Sequence, residues 1–145
     1  MAVTASLYNS VLEDLVEGEL DWEGDTIKCA LLGSGYTPDI DSHAVWSDVS
    51  AYEVSGTGYT AGGQALANRL ITLDTVNDEV RCDSDDPQWA SSTITARYAV
   101  VYQDTGTPST SRLIALMNFG QDYASSNGTF KITVASGGWL KIAQV

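Results

Sequence analysis

The stretch Arg97-Tyr98-Ala99-Val100-Val101-Tyr102 decides the fold class. Strand side chains alternate between two faces, so Tyr98, Val100 and Tyr102 share one face and Arg97, Ala99 and Val101 the other. Phe130, Ile132 and Val134 alternate in the same way with Lys131 and Thr133. Working outward, the spacing predicts strands at Ile27–Leu32, Gln64–Leu73, Glu79–Cys82, Thr93–Tyr102, Leu113–Asn118, Thr129–Val134 and Trp139–Ile142. Asn127-Gly128 and Gly137-Gly138 read as hairpin turns ahead of the last two. Many short strands with frequent turns predict a mainly β chain, an antiparallel β-sandwich or jelly roll.

The N-terminus differs. Leu7, Tyr8, Val11, Leu12, Leu15 and Val16 recur at helical spacing and predict one amphipathic helix, capped by Thr4 or Ser6 and ended by Gly18. Glu13, Asp14 and Glu17 sit near its C-terminal end, the wrong sign for the helix dipole, so the helix needs a surface to dock on. The expected organisation is an acidic helix and linker over residues 1–25, then a β domain over 26–145. Between strands, Gly33–Ser55 forms a long loop with a short helical turn around Ala44–Val49, placing Trp46 and Val49 on one side. The segment Ser55–Gly63 is glycine-rich and uncharged.

With 145 residues, 43% of them hydrophobic, the chain is long enough for one self-sufficient core. Nineteen acids against seven bases give a formal charge of −12, and the bases are scattered. Phosphate backbones and anionic lipids are bound by clustered Lys and Arg, so neither a nucleic acid nor a membrane is an expected partner. The start carries no secretory signal pattern. Cys29 and Cys82 lack metal or redox spacing and are expected as reduced thiols.

No catalytic site assembles from the sequence. The glycine segment lacks the Lys-Ser/Thr ending of a phosphate loop. Asp83-Ser84-Asp85-Asp86 and Asp39-Ile40-Asp41 have the flavour of calcium loops, but position six from Asp83 is Gln88 and position twelve is Ile94. One histidine, His43, and two distant cysteines do not make a zinc site, and no serine stands in a nucleophile elbow. No enzyme activity, cofactor or metal is expected. Trp89 and Trp139 read as core or edge packing, whereas Trp22 and Trp46 lie outside the strands and read as interface residues.

Several segments together carry a resemblance. They are Lys28-Cys29-Ala30-Leu31-Leu32, Tyr36-Thr37-Pro38-Asp39, Trp46-Ser47-Asp48-Val49 and the run from Glu53 through Gly56-Thr57-Gly58-Tyr59-Thr60-Ala61-Gly62-Gly63 to Leu66. Trp89-Ala90, Ile94–Tyr102, Leu113-Ile114 and Phe119-Gly120 complete it. Over residues 22–142 the chain resembles small structural proteins of tailed-bacteriophage virions, some of which serve as head decoration (cement) proteins. The resemblance implies a part of the virion, assembled in the host cytoplasm and bound to the outer capsid surface. Its expected partners are the major capsid protein and copies of itself, as a homotrimer. It brings no catalytic residues. The segment Trp139–Val145 departs from the pattern. The contact candidates are Leu7, Val11 and Leu15 on the helix, Trp22, Trp46, and Gly56, Gly58, Tyr59 and Gly62 in the glycine segment. The alternative is a tail or fibre component acting as a receptor- or glycan-binding module, with tryptophan or tyrosine stacking on sugars.

Overall fold

The computed structural model describes residues 4–145. Among these residues eight strands and one α-helix follow in chain order: β1 (Thr4–Leu7), α1 (Ser10–Glu17), β2 (Ile27–Leu32), β3 (Gln64–Ala65), β4 (Leu70–Asp74), β5 (Glu79–Asp83), β6 (Gln88–Gln103), β7 (Leu113–Lys131) and β8 (Leu140–Ala143). They form a five-stranded sheet ordered β1-β7-β6-β2-β3 and a three-stranded sheet ordered β4-β5-β8, both antiparallel.

Around β2 and the adjoining halves of β6 and β7 the five-stranded sheet is buried on both faces, which explains why β2 reads as an almost unbroken apolar run. Ile27, Cys29 and Leu31 enter one core, together with Val101, Ile114 and Met117 and with Cys82 and Leu140 of the other sheet. Ala30, Leu32, Tyr98, Val100, Tyr102 and Leu116 enter a second core on the opposite face. That face is covered by the long loop, through Tyr36, Trp46 and Val49. The loop makes two short 3-10 turns, Trp46–Asp48 and Ser50–Tyr52, so the expected helical turn is present and Trp46 and Val49 share its inner side.

Three boundaries differ from the sequence reading, each for a tertiary reason. Leu113–Asn118 and Thr129 onward are not separate strands: β7 runs through both because β6 gives it one long partner. Asn127-Gly128 is therefore a bulge opposite Ser92, with Asn127 at φ 48°, and not a hairpin turn. Gln64–Leu73 breaks into β3 and β4, which belong to different sheets. Gly137-Gly138 does turn the chain, but it delivers β8 to β5 instead of folding it back on β7.

The N-terminal helix is shorter than its apolar stripe. Leu7 lies in β1, in register with Ala115 of β7, so neither Thr4 nor Ser6 caps the helix. The helix starts at Ser10 and ends at Gly18, which takes the left-handed conformation (φ 75°) and donates its N–H to Asp14 and Leu15 carbonyls. The acidic segment after it folds onto the β body. Arg69 donates to the carbonyls of Trp22 (2.7 Å), Glu23 (3.0 Å), Asp25 (2.5 Å) and Leu66 (2.7 Å). Gln103 Nε2 reaches Glu19 O and Asp25 Oδ2, and Arg112 bridges Asp14 and Glu19. Residues 4–25 are thus laced into the same body as the strands. The acids placed at the wrong end of the dipole are met in part by Arg112.

Candidate interaction surfaces

The glycine segment expected to face neighbours is bound to its own sheet. A Cβ on Gly58 would lie 2.8 Å from Ser92 Cα, and one on Gly63 would lie 2.7 Å from Ala30 Cα. Both residues have positive φ, 78° and 76°, so two requirements for glycine coincide. Gly56 meets the backbone of Thr93 just as closely, and Thr57 bridges to Thr93 across the contact. Side chains fasten the segment further. Tyr59 Oη accepts the Leu31 N–H (3.0 Å) and donates to Glu53 Oε1 (2.7 Å), and the same carboxylate oxygen accepts the Gly62 N–H (2.6 Å). Tyr102 Oη donates to Gly62 O (2.7 Å). The Leu31 amide would otherwise be an unpaired donor beyond the end of short β3. Burial and the Glu53 charge push the Tyr59 phenol well above its ordinary range, keeping it a neutral donor.

Of the other contact candidates, Val11 is fully buried, and Leu7 and Leu15 pack partly buried against the first core. Trp22 and Trp46, expected at an interface, are spent on the chain's own interior. Trp22 is 3% exposed and donates its indole N–H to Asp83 O, tying the acidic segment to β5. Trp46 stacks on Tyr102 with ring centroids 4.5 Å apart and planes 6° from parallel. Trp89 and Trp139 lie in the first core, where the sequence reading puts them.

The acidic clusters act as turn caps. Asp39 accepts the N–H groups of Asp41 and Ser42, bonds that hold its carboxyl below the usual carboxylate range. Asp86 accepts the Val134 N–H and pairs with Lys131, and Asp85 accepts from Asn68. Among the described residues no group of three His, Cys, Asp or Glu side chains is placed to hold a metal ion. Cys29 faces the first core, whereas His43 bonds Tyr36 Oη on the opposite face of the sheet, so the two do not meet. Burial pushes both thiols up, Cys82 to about 11, which keeps them protonated and inert. Among the described residues no helix is long and apolar enough to cross a membrane.

Among the described residues two groups of neighbouring apolar side chains stand exposed, and neither is in the glycine segment. The first is a ridge on α1, where Leu12 is 53% and Val16 is 89% exposed, one helical turn apart. Glu13 and Glu17 stand beside them, also exposed. The second is on the three-stranded sheet. Residues paired across strands point to one face, so Ile71, Cys82 and Leu140 form one row and Leu73, Val80 and Ile142 form the next row on that same face. Cys82 and Leu140 enter the core, whereas Leu73 is 69% and Ile142 48% exposed. The sheet therefore reaches past the edge of the core as an arm, and Val76 in its β4–β5 turn is 88% exposed. A shallow cavity of about 350 Å³ at this end is lined by Leu73, Val80 and Ile142 with Asp78 and Gln144.

Overhanging sheet faces and exposed helix ridges leave little in the sequence to find them by. Their residues have the same alternation or spacing as covered ones, and only the position of the other layer separates the two. No family model, curated protein or solved structure matches the chain.

Proposed function

We propose that this protein is a structural component of a tailed-phage virion, a decoration protein that binds the outside of the head and strengthens contacts between major capsid subunits. The observation that carries the proposal is the helix ridge. Leu12 and Val16 are apolar and exposed on a body whose glycine segment is tied to its own sheet, and the flanking Glu13 and Glu17 suit a basic partner surface. A charge of −12 suits a position outside the shell, away from packaged DNA. The two antiparallel sheets, which share one core, are read here as a small β-sandwich with a helix at its N-terminus. Attachment at many symmetry-related places stabilises an expanded head by mass action, each contact contributing little.

The alternative, a tail or fibre module that stacks sugars on tryptophan or tyrosine rings, asks for an exposed aromatic platform, and Tyr52, at 43%, is the most exposed tyrosine. All four tryptophans are at most 7% exposed, which favours the head reading. The test is co-sedimentation of the purified chain with heads lacking it and, separately, with isolated tails. Saturable binding to heads at a fixed ratio to the capsid protein is expected, weakened by Leu12→Ser with Val16→Ser and by raised salt. Binding to tails alone, or to neither, would overturn the proposal.

A further inference from the structure

The apolar face of the arm formed by β4, β5 and β8 differs in charge from the acidic surface around it, and that difference points to its occupant. Arg81 and Lys141, two of the chain's seven bases, both lie on the arm. They project from the face opposite the Leu73–Val80–Ile142 row, since residues 79, 81 and 141 alternate with 80 and 142. There Arg81 pairs with Asp74 and with Glu79 (2.6 Å), and Lys141 pairs with Glu79 (3.1 Å). The strand residues of the apolar face itself, Ile71, Leu73, Val80, Cys82, Leu140 and Ile142, carry no charge, within a chain that carries −12 overall, and Asp78 stands at the outer end of the row. Two copies of so acidic a protein repel one another over most approaches. They approach at least electrostatic cost where the facing strand residues are apolar and the acids behind them, Asp74 and Glu79, are paired.

The size of the surface agrees. Leu73, Val76 and Ile142, with the outer part of Ile71, expose on the order of 400 Å² of apolar surface, within the range of functional patches on monomers. A standard interface buries roughly 800 Å² per partner, of which a little over half is apolar. The patch supplies about that apolar share, so covering it by the same patch of another copy meets what a stable assembly needs. The row is also continuous with the core: in the neighbouring row Ile71–Cys82–Leu140, Cys82 and Leu140 are buried, so a second arm laid on it extends an existing apolar layer.

We infer that the inner face of the arm, centred on Leu73, Val80 and Ile142, is the self-association surface of this protein and is covered by the arm of a second copy. The inference rests on the oligomer contained in the proposed function, but its test uses the chain alone and so stands apart from head binding.

The experiment is sedimentation velocity and equilibrium on the full chain over a wide concentration range, beside Leu73→Thr with Ile142→Thr. Threonine keeps strand preference while removing apolar area, and circular dichroism checks that the variant is folded. An oligomeric native chain is expected, of whatever order, with the double variant dissociating at concentrations at least about a hundredfold higher. Val76→Asp, at a turn position 88% exposed and safe for folding, is expected to weaken the assembly as well. A native chain monomeric at the highest concentration would overturn the inference. So would an oligomer that both variants leave intact, because its surface would then lie elsewhere. A monomer whose variants lose binding to heads would reassign the arm to the capsid protein and overturn the inference equally.

Discussion

The glycine segment Ser55–Gly63 and the arm of β4, β5 and β8 exchange the roles that composition suggests for them. The first is uncharged, rich in glycine and lies in a loop, all of which reads as a surface offered to neighbours. Yet its glycines press on Ser92, Thr93 and Ala30 of the same chain, and its amides and phenol are fastened through Glu53 and Tyr102. The second has the ordinary alternation of half-buried strands, yet one of its inner rows covers nothing. Close backbone approach needs glycine whether the thing approached is one's own sheet or another protein. Glycine therefore reports the approach and not the partner.

The largest effect that tests this contrast is expected at Gly63. Gly63→Ala places a Cβ against the backbone of Cys29 and Ala30 at a φ of 76°, with no flexible side chain to yield. A loss of about 3 kcal/mol or more, or failure to fold, is expected in urea denaturation. Gly106→Ala is the control: φ is 84° there and nothing lies within 4 Å, so only the backbone term of about 1 kcal/mol is expected. Equal losses at both positions would mean that the glycine segment is not pressed on the sheet.

A smaller effect is expected at Tyr59→Phe. The hydroxyl serves Leu31 N–H and Glu53 together, and its loss leaves an amide and a carboxylate oxygen short of a partner. About 1–3 kcal/mol should be lost in the isolated chain. An unchanged midpoint would show the segment free to serve a neighbour, as composition alone suggests.

How much of this was legible in the sequence follows from which forces act locally. β2 is found at its full extent, because six apolar or alternating residues between turn signals need no tertiary information. The faces of Tyr98, Val100 and Tyr102 and the pairing of Trp46 with Val49 are equally local. β1 was hidden because its Leu7 matches the helical stripe that follows, and only the open edge of β7 recruits it as a strand. Trp22 reads as an interface residue because its burial depends on Arg69, far along the chain, gathering the carbonyls around it. The contact surfaces were least legible. Leu73 and Ile142 alternate as Cys82 and Leu140 do, and only the reach of the second layer leaves the first pair bare.

Acid should separate the arm from the helix. Bonds from Asn77 and the Arg81 charge hold Asp74 below the usual carboxylate range, and Lys141 with Arg81 does the same for Glu79. A carboxyl depressed in the folded state contributes stability that is present above its unfolded value, near 4, and lost as pH falls through the folded value. Asp14 on α1 behaves oppositely, because burial raises it despite Arg112. Its neutral form is favoured by folding, so its contribution is full below the unfolded value and fades as pH rises through the folded one. Amide exchange, corrected for intrinsic rates, should therefore show arm protection falling from pH 6 to pH 3 more than helix protection does. The reverse order would mean that the Arg81–Glu79–Lys141 network does not hold the arm together.

The smallest effect is the most discriminating. Leu73→Thr, measured where the chain is monomeric, should change stability by no more than about 0.5 kcal/mol, because the side chain is mostly exposed and strand preference is kept. At high concentration the two proteins should part. Self-association stabilises the native chain by mass action, so its melting temperature should rise with concentration, while that of the variant stays nearly level. A variant already destabilised by more than 1 kcal/mol in the monomer would mean that Leu73 is covered from within the chain. The arm and the glycine segment would then be alike, both internal packing, and the contact surface would have to be sought on the helix ridge of Leu12 and Val16 alone.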